Sequence, residues 1–302
     1  MSTPAKPAVA LAATPGRRGW AIDLTVELEQ RGYPGVYCAS FGDAMGLCTA
    51  MALATKHIQF GTAIVPIYLR HPSEYALNAA FIHEISGGRF RFGIGISHAP
   101  VQRRLGIEAG KPLSDMKKFV ADIRAVQRIG ELPPVVIAGL RKRMVAFAGT
   151  QQGVVFANAA RSHMAASLAA LPESAKTDPG FFVGDMIPTC ISDDVAAAAA
   201  VNRRTLSGYV MLPNYRNYWR EAGYVEEMDA IEKALAAGER DRIPSLMSDE
   251  WLADTTLFGP RDRVFEGLQA WYDAGVRTPI LVPSSAVGNQ QVAFQELLAA
   301  FS

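Results

Sequence analysis

Short apolar runs alternate with amphipathic segments along most of this chain. The first apolar run spans residues 9–13 and is followed by Thr14-Pro15-Gly16, which is typical of a turn after a buried strand. Residues 19–32 then carry apolar side chains at helical spacing and end at Gly32, a residue that favours helix termination. The pattern therefore predicts a strand followed by a helix.

The same pair of elements recurs until the chain contains eight predicted strands. These strands lie at residues 9–13, 35–39, 58–65, 89–95, 135–138 and 154–157, within 181–191, and at 278–282. Strands that alternate with helices form parallel sheets, and eight such rounds are what a TIM barrel requires. We predict an α/β protein in which residues 1–302 form one (β/α)8 TIM-barrel domain.

One segment lies outside the repeat. Residues 213–256 are charged and helical, and their first part is rich in aromatic side chains, among them Tyr215, Tyr218, Trp219 and Tyr224. We predict a helical insertion before the last βα unit. Two interpretations of its aromatic part stay open, namely a lid or dimer contact and the ordinary packing of a surface helix.

Composition and charge narrow the class of partner. The chain is 49% hydrophobic and 20% charged, and 30 basic residues against 29 acidic ones leave a net charge of +1. Nothing in this balance favours nucleic acid or an anionic membrane, so we expect a small-molecule substrate. The early apolar run is too short for a signal peptide, and no segment reaches the roughly 20 apolar residues of a membrane span. We expect a cytoplasmic protein.

The cysteines and histidines suggest no metal or disulfide site. The three cysteines are odd in number and form no Cys-x-x-Cys pair, which argues against a disulfide framework and a structural zinc site. The five histidines are not spaced as metal ligands. We predict that no metal is bound.

The glycine-rich end of the fourth predicted strand is the first candidate site. Gly93, Gly95, Ser97 and His98 follow one another there, but a dinucleotide fingerprint would need a third glycine where His98 stands and an earlier helix start. The glycines can also serve simply to relieve crowding at a strand end. His98 lies beyond the strand in a polar loop, where a histidine is available for chemistry.

The end of the fifth predicted strand is the second candidate. Gly139 and Leu140 lead into a helix that begins at about residue 141 and carries Arg141, Lys142 and Arg143 in its first turn. Basic residues there oppose the helix dipole, and a bound phosphate would compensate them. Solvated surface charges are the alternative, but a position at a strand end favours a functional role.

Residues 57–65, Arg70-His71-Pro72 and residues 85–98 together resemble the bacterial luciferase-like monooxygenase superfamily. Residues 133–140, 212–219 and 257–260 more closely resemble its deazaflavin-dependent (coenzyme F-420) oxidoreductases. Members use either FMN or F-420 on the same barrel. The resemblance covers nearly the whole chain.

The resemblance implies where a cofactor would lie. It places the ring against the end of strand three, where a non-prolyl cis peptide bond would join Ala63 to Ile64, and it makes the strand-five loop the phosphate-binding loop. His98 occupies the place where related dehydrogenases carry a catalytic carboxylate, so it is the implied catalytic residue. The implied cofactor-binding residues are Ser40, Ala63, Ile64, Gly95, Ser97, His98, Gly139, Leu140 and Arg143.

This chain departs from the pattern after strand two. Many relatives carry an acidic residue or an Asp-His pair where this sequence has Ser40-Phe41. A serine is a poor proton carrier at neutral pH, so a mechanism that relies on an acid at strand two is in doubt. His98 is the first candidate for any proton delivery.

Three functions follow from the resemblance. The first is hydride transfer between F-420 and a small organic substrate. The second is FMN-dependent monooxygenation, with O2 and reduced flavin supplied by a separate reductase. The third is a non-catalytic cofactor-binding barrel. The resemblance also implies a homodimer.

Overall fold

The computed structural model describes residues 4–302. Its strands are β1 (Ala8–Ala13), β2 (Gly35–Gly42), β3 (Gln59–Thr62), β4 (Val65–Pro66), β5 (Phe90–Gly95), β6 (Val135–Ala138), β7 (Gly153–Ala157), β8 (Phe182–Ile191), β9 (Leu257–Gly259) and β10 (Thr278–Ser284). The larger helices between them are α1 (Arg18–Gln30), α2 (Ala44–Ala54), α3 (Pro72–Ile85), α4 (Ala99–Arg104), α5 (Pro112–Ala125), α6 (Lys142–Ala148), α7 (Met164–Ala169), α8 (Glu173–Thr177), α9 (Val195–Val210), α10 (Pro213–Glu221), α11 (Val225–Ala236), α12 (Asp249–Thr255), α13 (Arg261–Asp273) and α14 (Gln290–Ala300). Two 3₁₀ helices, Arg161–His163 and Arg240–Leu246, complete the helical segments.

Within residues 4–302, eight parallel strands with alternating helices close into a (β/α)8 barrel, which confirms the predicted fold class. The first two predicted strands are β1 and β2, and β3 with β4 forms the third. The fourth to the seventh are β5 to β8, and the eighth is β10. The short strand β9, which the sequence pattern did not predict, pairs with the end of β8. Every predicted strand is therefore present.

The chain divides into two compact units, one containing residues 6–155 and 170–183 and the other residues 4–5, 156–169 and 184–302. In the first unit, Tyr37 of β2 packs its ring 5.2 Å from that of Phe182, and the Arg91 guanidinium lies 5.3 Å from the same ring. Cys38, the next residue, instead contacts Met51 of α2. Successive side chains of β2 therefore point alternately to the other strands and to the helices, as the period of a strand requires.

The second unit contains the predicted insertion, and its aromatic residues lie inside the core. Tyr215, Tyr218 and Trp219 are buried, and the Trp219 ring packs 4.8 Å from that of Trp251 in α12. The ordinary packing of a surface helix therefore describes these three residues, and a lid or dimer contact formed by them is wrong. Residues three and four apart on a helix share a face, and in α10 this aromatic face is turned inward.

Proline stands at the first position of several helices. Helix α3 begins at Pro72, and the His71 side chain accepts from the Ser73 amide. Pro213 likewise begins α10. Proline fits the first helical turn because the amide it lacks would have no helical partner. Among residues 4–302, no helix has both the length and the apolar character needed to cross a bilayer.

Candidate functional site

The carboxyl ends of β2 to β6 bring the implied site residues to one rim of the first unit. Cys38 of β2 pairs with Thr62 of β3, Val65 of β4 pairs with Ile94 of β5, and Ile94 pairs with Ile137 of β6. Parallel strands end at the same edge, so the residues just beyond these rows share that edge. They are Ser40, Ala63, Ile64, Gly95, Ser97, His98, Gly139, Leu140 and Arg143.

The peptide bond between Ala63 and Ile64 is cis, which confirms the position that the resemblance implied. The bond lies between β3 and β4. The Ala63 amide donates to the Cys38 carbonyl at 2.8 Å, and the Ile67 amide donates to the Gly95 carbonyl at 3.0 Å. Hydrogen bonds to β2 and to β5 therefore flank the cis peptide bond.

The glycines of β5 allow neighbouring chains to approach closely. A Cβ on Gly93 would lie 1.8 Å from the Thr62 carbonyl oxygen, and one on Gly95 would lie 2.8 Å from the Ile64 side chain and 3.0 Å from the Ala138 Cβ. Gly93 and Gly95 therefore relieve crowding, as the second interpretation of this stretch proposed. At Gly95 the space is filled by Ile64, which gives the rim an apolar floor between β3 and β5.

His98 and Ser97 form the loop that joins β5 to α4. The Ser97 carbonyl accepts from the Gln102 side chain at 2.7 Å, which fixes the loop against α4. His98 is half-buried, and burial lowers the pKa of its imidazole below the usual value of 6.5. The ring is therefore neutral at pH 7 and has one nitrogen that accepts a proton and one that donates.

The loop after β6 follows the predicted course. Gly139 donates to the Val155 carbonyl, and a Cβ on this glycine would lie 3.1 Å from Val154 and 3.3 Å from Val145. Helix α6 begins at Lys142, and the first helical hydrogen bonds go to the Arg141 carbonyl. Arg141, Lys142 and Arg143 are exposed.

The side-chain contacts of the rim could not be predicted from the sequence. Asp43 caps α2 by accepting from the Gly46 amide, and it also pairs with Arg70 at 2.9 Å. Tyr68 donates to Asp115 at 2.7 Å, linking the strand-three loop to α5. These partners are 27 and 47 positions apart, so no local spacing indicates them. Ser40 is exposed at the end of β2.

A cavity of about 280 Å³ lies close to this rim but does not coincide with the implied site. Its lining residues are Ala13, Arg18, Ile22, Asp43, Gly46, Leu47 and Ala50. None of the implied cofactor-binding residues is among them. Within the part of the chain that the structure describes, no three metal-ligating side chains cluster as a metal site would require.

Fold and site together define a (β/α)8-barrel protein with its candidate chemistry at the carboxyl rim. The chain belongs to the luciferase-like monooxygenase family, whose sequence model matches residues 1–278. This is a family of enzymes.

Two similar sequences illustrate the family. A putative coenzyme F-420-dependent oxidoreductase from Mycobacterium tuberculosis is 22% identical over 87% of this chain and 90% of its own length. The 5,10-methylenetetrahydromethanopterin reductase of Archaeoglobus fulgidus is 24% identical over 80% of this chain and 81% of its own.

Two solved structures share the fold. The coenzyme F-420-dependent tetrahydromethanopterin reductase of Methanopyrus kandleri superposes with a TM-score of 0.76 at 18% identity, covering 99% of this chain and 100% of that one. The oxygenating constituent of the 3,6-diketocamphane monooxygenase of Pseudomonas putida, in complex with FMN, has a TM-score of 0.59 at 17% identity, covering 92% of each chain.

Proposed function

We propose that this protein is an oxidoreductase that transfers hydride between coenzyme F-420 and a small organic substrate. The observation that carries the proposal is His98, a neutral imidazole at the end of β5, on the same rim as Ile64, Gly95 and the basic start of α6. Relatives named for F-420, in sequence and in structure, favour this cofactor over FMN.

The residues of the rim fit a cofactor with a flat ring and an anionic tail. Ile64 fills the space over Gly95 and offers an apolar surface to a ring. Arg143 and its two basic neighbours, exposed after β6, offer positive charge to a phosphate, and Gly139 and Leu140 precede them on the same loop. Ser40, Ala63 and Ser97 would hold the ring edge. The bound cofactor would supply the hydride.

His98 would hold the proton that accompanies hydride transfer. The neutral ring accepts a proton when substrate is oxidised and returns it when substrate is reduced, and the partly buried position limits competition from water. No strand-two acid is needed in this scheme. The chain carries Ser40-Phe41 at that position.

Titration of the purified protein with F-420 and with FMN, followed by ring fluorescence, tests the cofactor. We expect saturable binding of F-420. Tight FMN binding with none of F-420 would overturn the choice and favour the second function, a monooxygenase fed by a separate reductase. The FMN complex among the structural neighbours supports that alternative.

Substrate-dependent oxidation of reduced cofactor distinguishes the enzyme from a non-catalytic cofactor-binding barrel. His98→Gln is expected to lower kcat about 100-fold or more while weakening cofactor binding far less. His57→Gln, an exposed histidine at the opposite ends of the strands, is the control and should leave both unchanged. An unaltered kcat in His98→Gln would remove this residue from the mechanism.

The pH profile provides a second test of His98. In the oxidation of substrate the neutral ring is the active form, so the rate falls as pH drops through its pKa. Because burial lowers that pKa, the acidic limb should lie below pH 6.5. The limb should disappear in His98→Gln, and a limb that persists there belongs to another group.

A further inference from the structure

The end of β2 is irregular and presents an aromatic side chain at the rim. Leu11 of β1 pairs with Cys38 of β2, and Ala13 pairs with Gly42. The single residue of β1 between Leu11 and Ala13 therefore faces three residues of β2. Extra residues of this kind redirect side chains at barrel rims. Phe41 lies in this bulge and is 69% exposed.

Gly42 holds the bulge in place. Its φ is +77°, and a Cβ there would lie 2.5 Å from the Ala13 carbonyl oxygen, so only glycine fits this conformation and this approach. Before the bulge, Cys38 contacts Cys48 and Met51 in α2. Phe41, three residues further on, is largely in solvent instead. Its exposure is therefore a consequence of local backbone geometry.

The adjacent strand ends continue this apolar surface. Cys38 pairs with Thr62, and Ala63 and Ile64 follow on the neighbouring strand before β4, which β2 also contacts. There Ile64 covers Gly95 of the next strand. Two apolar side chains, those of Phe41 and Ile64, thus lie at the ends of neighbouring strands, and Ile64 extends over the next strand.

The two carboxylates near this surface already have partners. Asp43 pairs with Arg70 and caps α2, and Asp115 accepts from Tyr68. Arg103 and Arg104 lie in the last turn of α4, where they complement the negative end of the helix dipole. Neither Phe41 nor Ile64 offers a charge, so an ionised substrate group placed between them would lose water without a partner from either side chain.

We propose that the rim between β2 and β5 binds an uncharged, largely apolar substrate, and that Phe41 is a specificity-determining residue that packs against it. The inference rests on the proposed function for the location of the site. The basic loop after β6 takes the anionic part of the cofactor, and the apolar surface at β2 to β5 takes the substrate.

Binding of two nearly isosteric probes tests the proposal. Acetophenone is neutral and benzoate is an anion, and their affinities can be measured by saturation-transfer NMR with and without the cofactor that the fluorescence titration selects. We expect acetophenone to bind at least about tenfold more tightly than benzoate, and butyrophenone, with its longer apolar chain, more tightly still.

Variants at Phe41 test whether this residue binds the neutral probe. Phe41→Ala should weaken acetophenone binding about tenfold, Phe41→Leu should weaken it less, and cofactor affinity should be unchanged in both. Val225→Ala, an exposed apolar residue of α11, is the control and should change nothing. Equal or tighter binding of benzoate, or unaltered binding in Phe41→Ala, would overturn the proposal. Failure of the proposed function would appear separately, as loss of cofactor binding.

Discussion

Gly93 has no side chain, and this allows two strands of the site to lie close together. A Cβ at this position would lie 1.8 Å from the Thr62 carbonyl oxygen, a backbone atom that cannot move alone. The Gly93 carbonyl in turn accepts from the Thr62 hydroxyl at 2.6 Å. A side chain here would force apart the strands that carry Ile64 and Gly95.

Replacing this glycine should therefore be costly. Gly93→Ala is expected to lower the free energy of unfolding by about 3 kcal/mol or more through overpacking. Gly19→Ala is the matched control, because a Cβ there meets nothing within 4 Å, and in α1 it should raise stability by about 0.5–1 kcal/mol. Urea unfolding measures both. Similar values for the two variants would contradict the packing argument.

Arg89 plays a comparable structural role at the opposite ends of the strands. Its guanidinium is buried and donates to the carbonyls of Ser86, Ile58, Ala52 and Thr55 and to the Thr55 hydroxyl. These groups belong to the ends of α2 and α3 and the start of the third strand. A side chain that was predicted only as part of a strand therefore donates hydrogen bonds to the carboxyl-terminal ends of two helices.

Removing this guanidinium should destabilise the protein strongly. Arg89→Met keeps the length of the side chain but leaves the carbonyls without their donor, and we expect a loss of about 3 kcal/mol or more. Arg31→Met removes an exposed pair with Glu27 and should cost less than about 1 kcal/mol. Thermal and urea unfolding compare the variants, and equal losses would contradict the assigned role of burial.

Helix α10 is attached to the second unit by a buried polar network. The Trp219 indole donates to the Asn158 carbonyl at 3.1 Å, and the Tyr218 hydroxyl accepts from the Ala160 amide at 3.1 Å. Asn158 has a φ of +54°, a conformation that asparagine tolerates better than most residues. The aromatic face of α10 is thus oriented by polar contacts as well as by packing.

Asp185 of β8 lies fully buried beside this network. Neither carboxyl oxygen has a hydrogen-bond partner of normal geometry among the described residues. Burial raises the pKa of this carboxyl well above its usual 3.8, while the nearby amides of Ala159 and Met186 act more weakly in the opposite direction. The folded protein therefore holds Asp185 protonated in a pH range where the unfolded chain would release the proton.

This difference predicts how stability depends on pH. Because the pKa is higher in the folded state, the contribution of Asp185 is full below 3.8 and is lost as pH rises through the folded-state pKa. The melting temperature of wild type should fall relative to that of Asp185→Asn as pH rises from 3.8 through the folded-state pKa. Asp23→Asn, at an exposed position of α1, is the control. A constant difference across this range would contradict the prediction.

At the scale of the whole molecule, an exposed apolar face on α2 and α3 supports the homodimer that the resemblance implied. Leu53 lies on α2, and Leu77 and Phe81, four residues apart, share a face of α3. All three are exposed, and apolar surface of this kind favours association with a second copy of the chain.

Light scattering after size exclusion tests this prediction. We expect a dimer for wild type and a folded monomer for the double variant Leu53→Glu and Phe81→Glu, because charge would oppose burial of the face. Val225→Glu changes an exposed apolar residue of α11 and should leave the dimer intact. A monomeric wild type would contradict the prediction.

Local pattern predicted most of the architecture. All eight barrel strands were visible as short apolar runs between helices, because strands buried on both faces need apolar residues throughout. The cap that Asp43 forms is a contact of the same short range, because its partner amide, on Gly46, is three residues away. The sequence left the aromatic face of α10 open between two interpretations, since aromatic spacing shows that a face exists but does not show what covers it.

The sequence by itself determined the alternation of strands and helices, the family, and the position of His98 and of the Ala63–Ile64 bond at strand ends. Only the tertiary structure decided that Asp43 pairs with Arg70, that Ile64 covers Gly95, and that Phe41 is exposed by a bulge fixed against Ala13. The physical reason is the distance along the sequence between the residues that make each contact. Helix caps and strand periods depend on residues a few positions apart, whereas the contacts that shape the site join residues that only the closed barrel brings together.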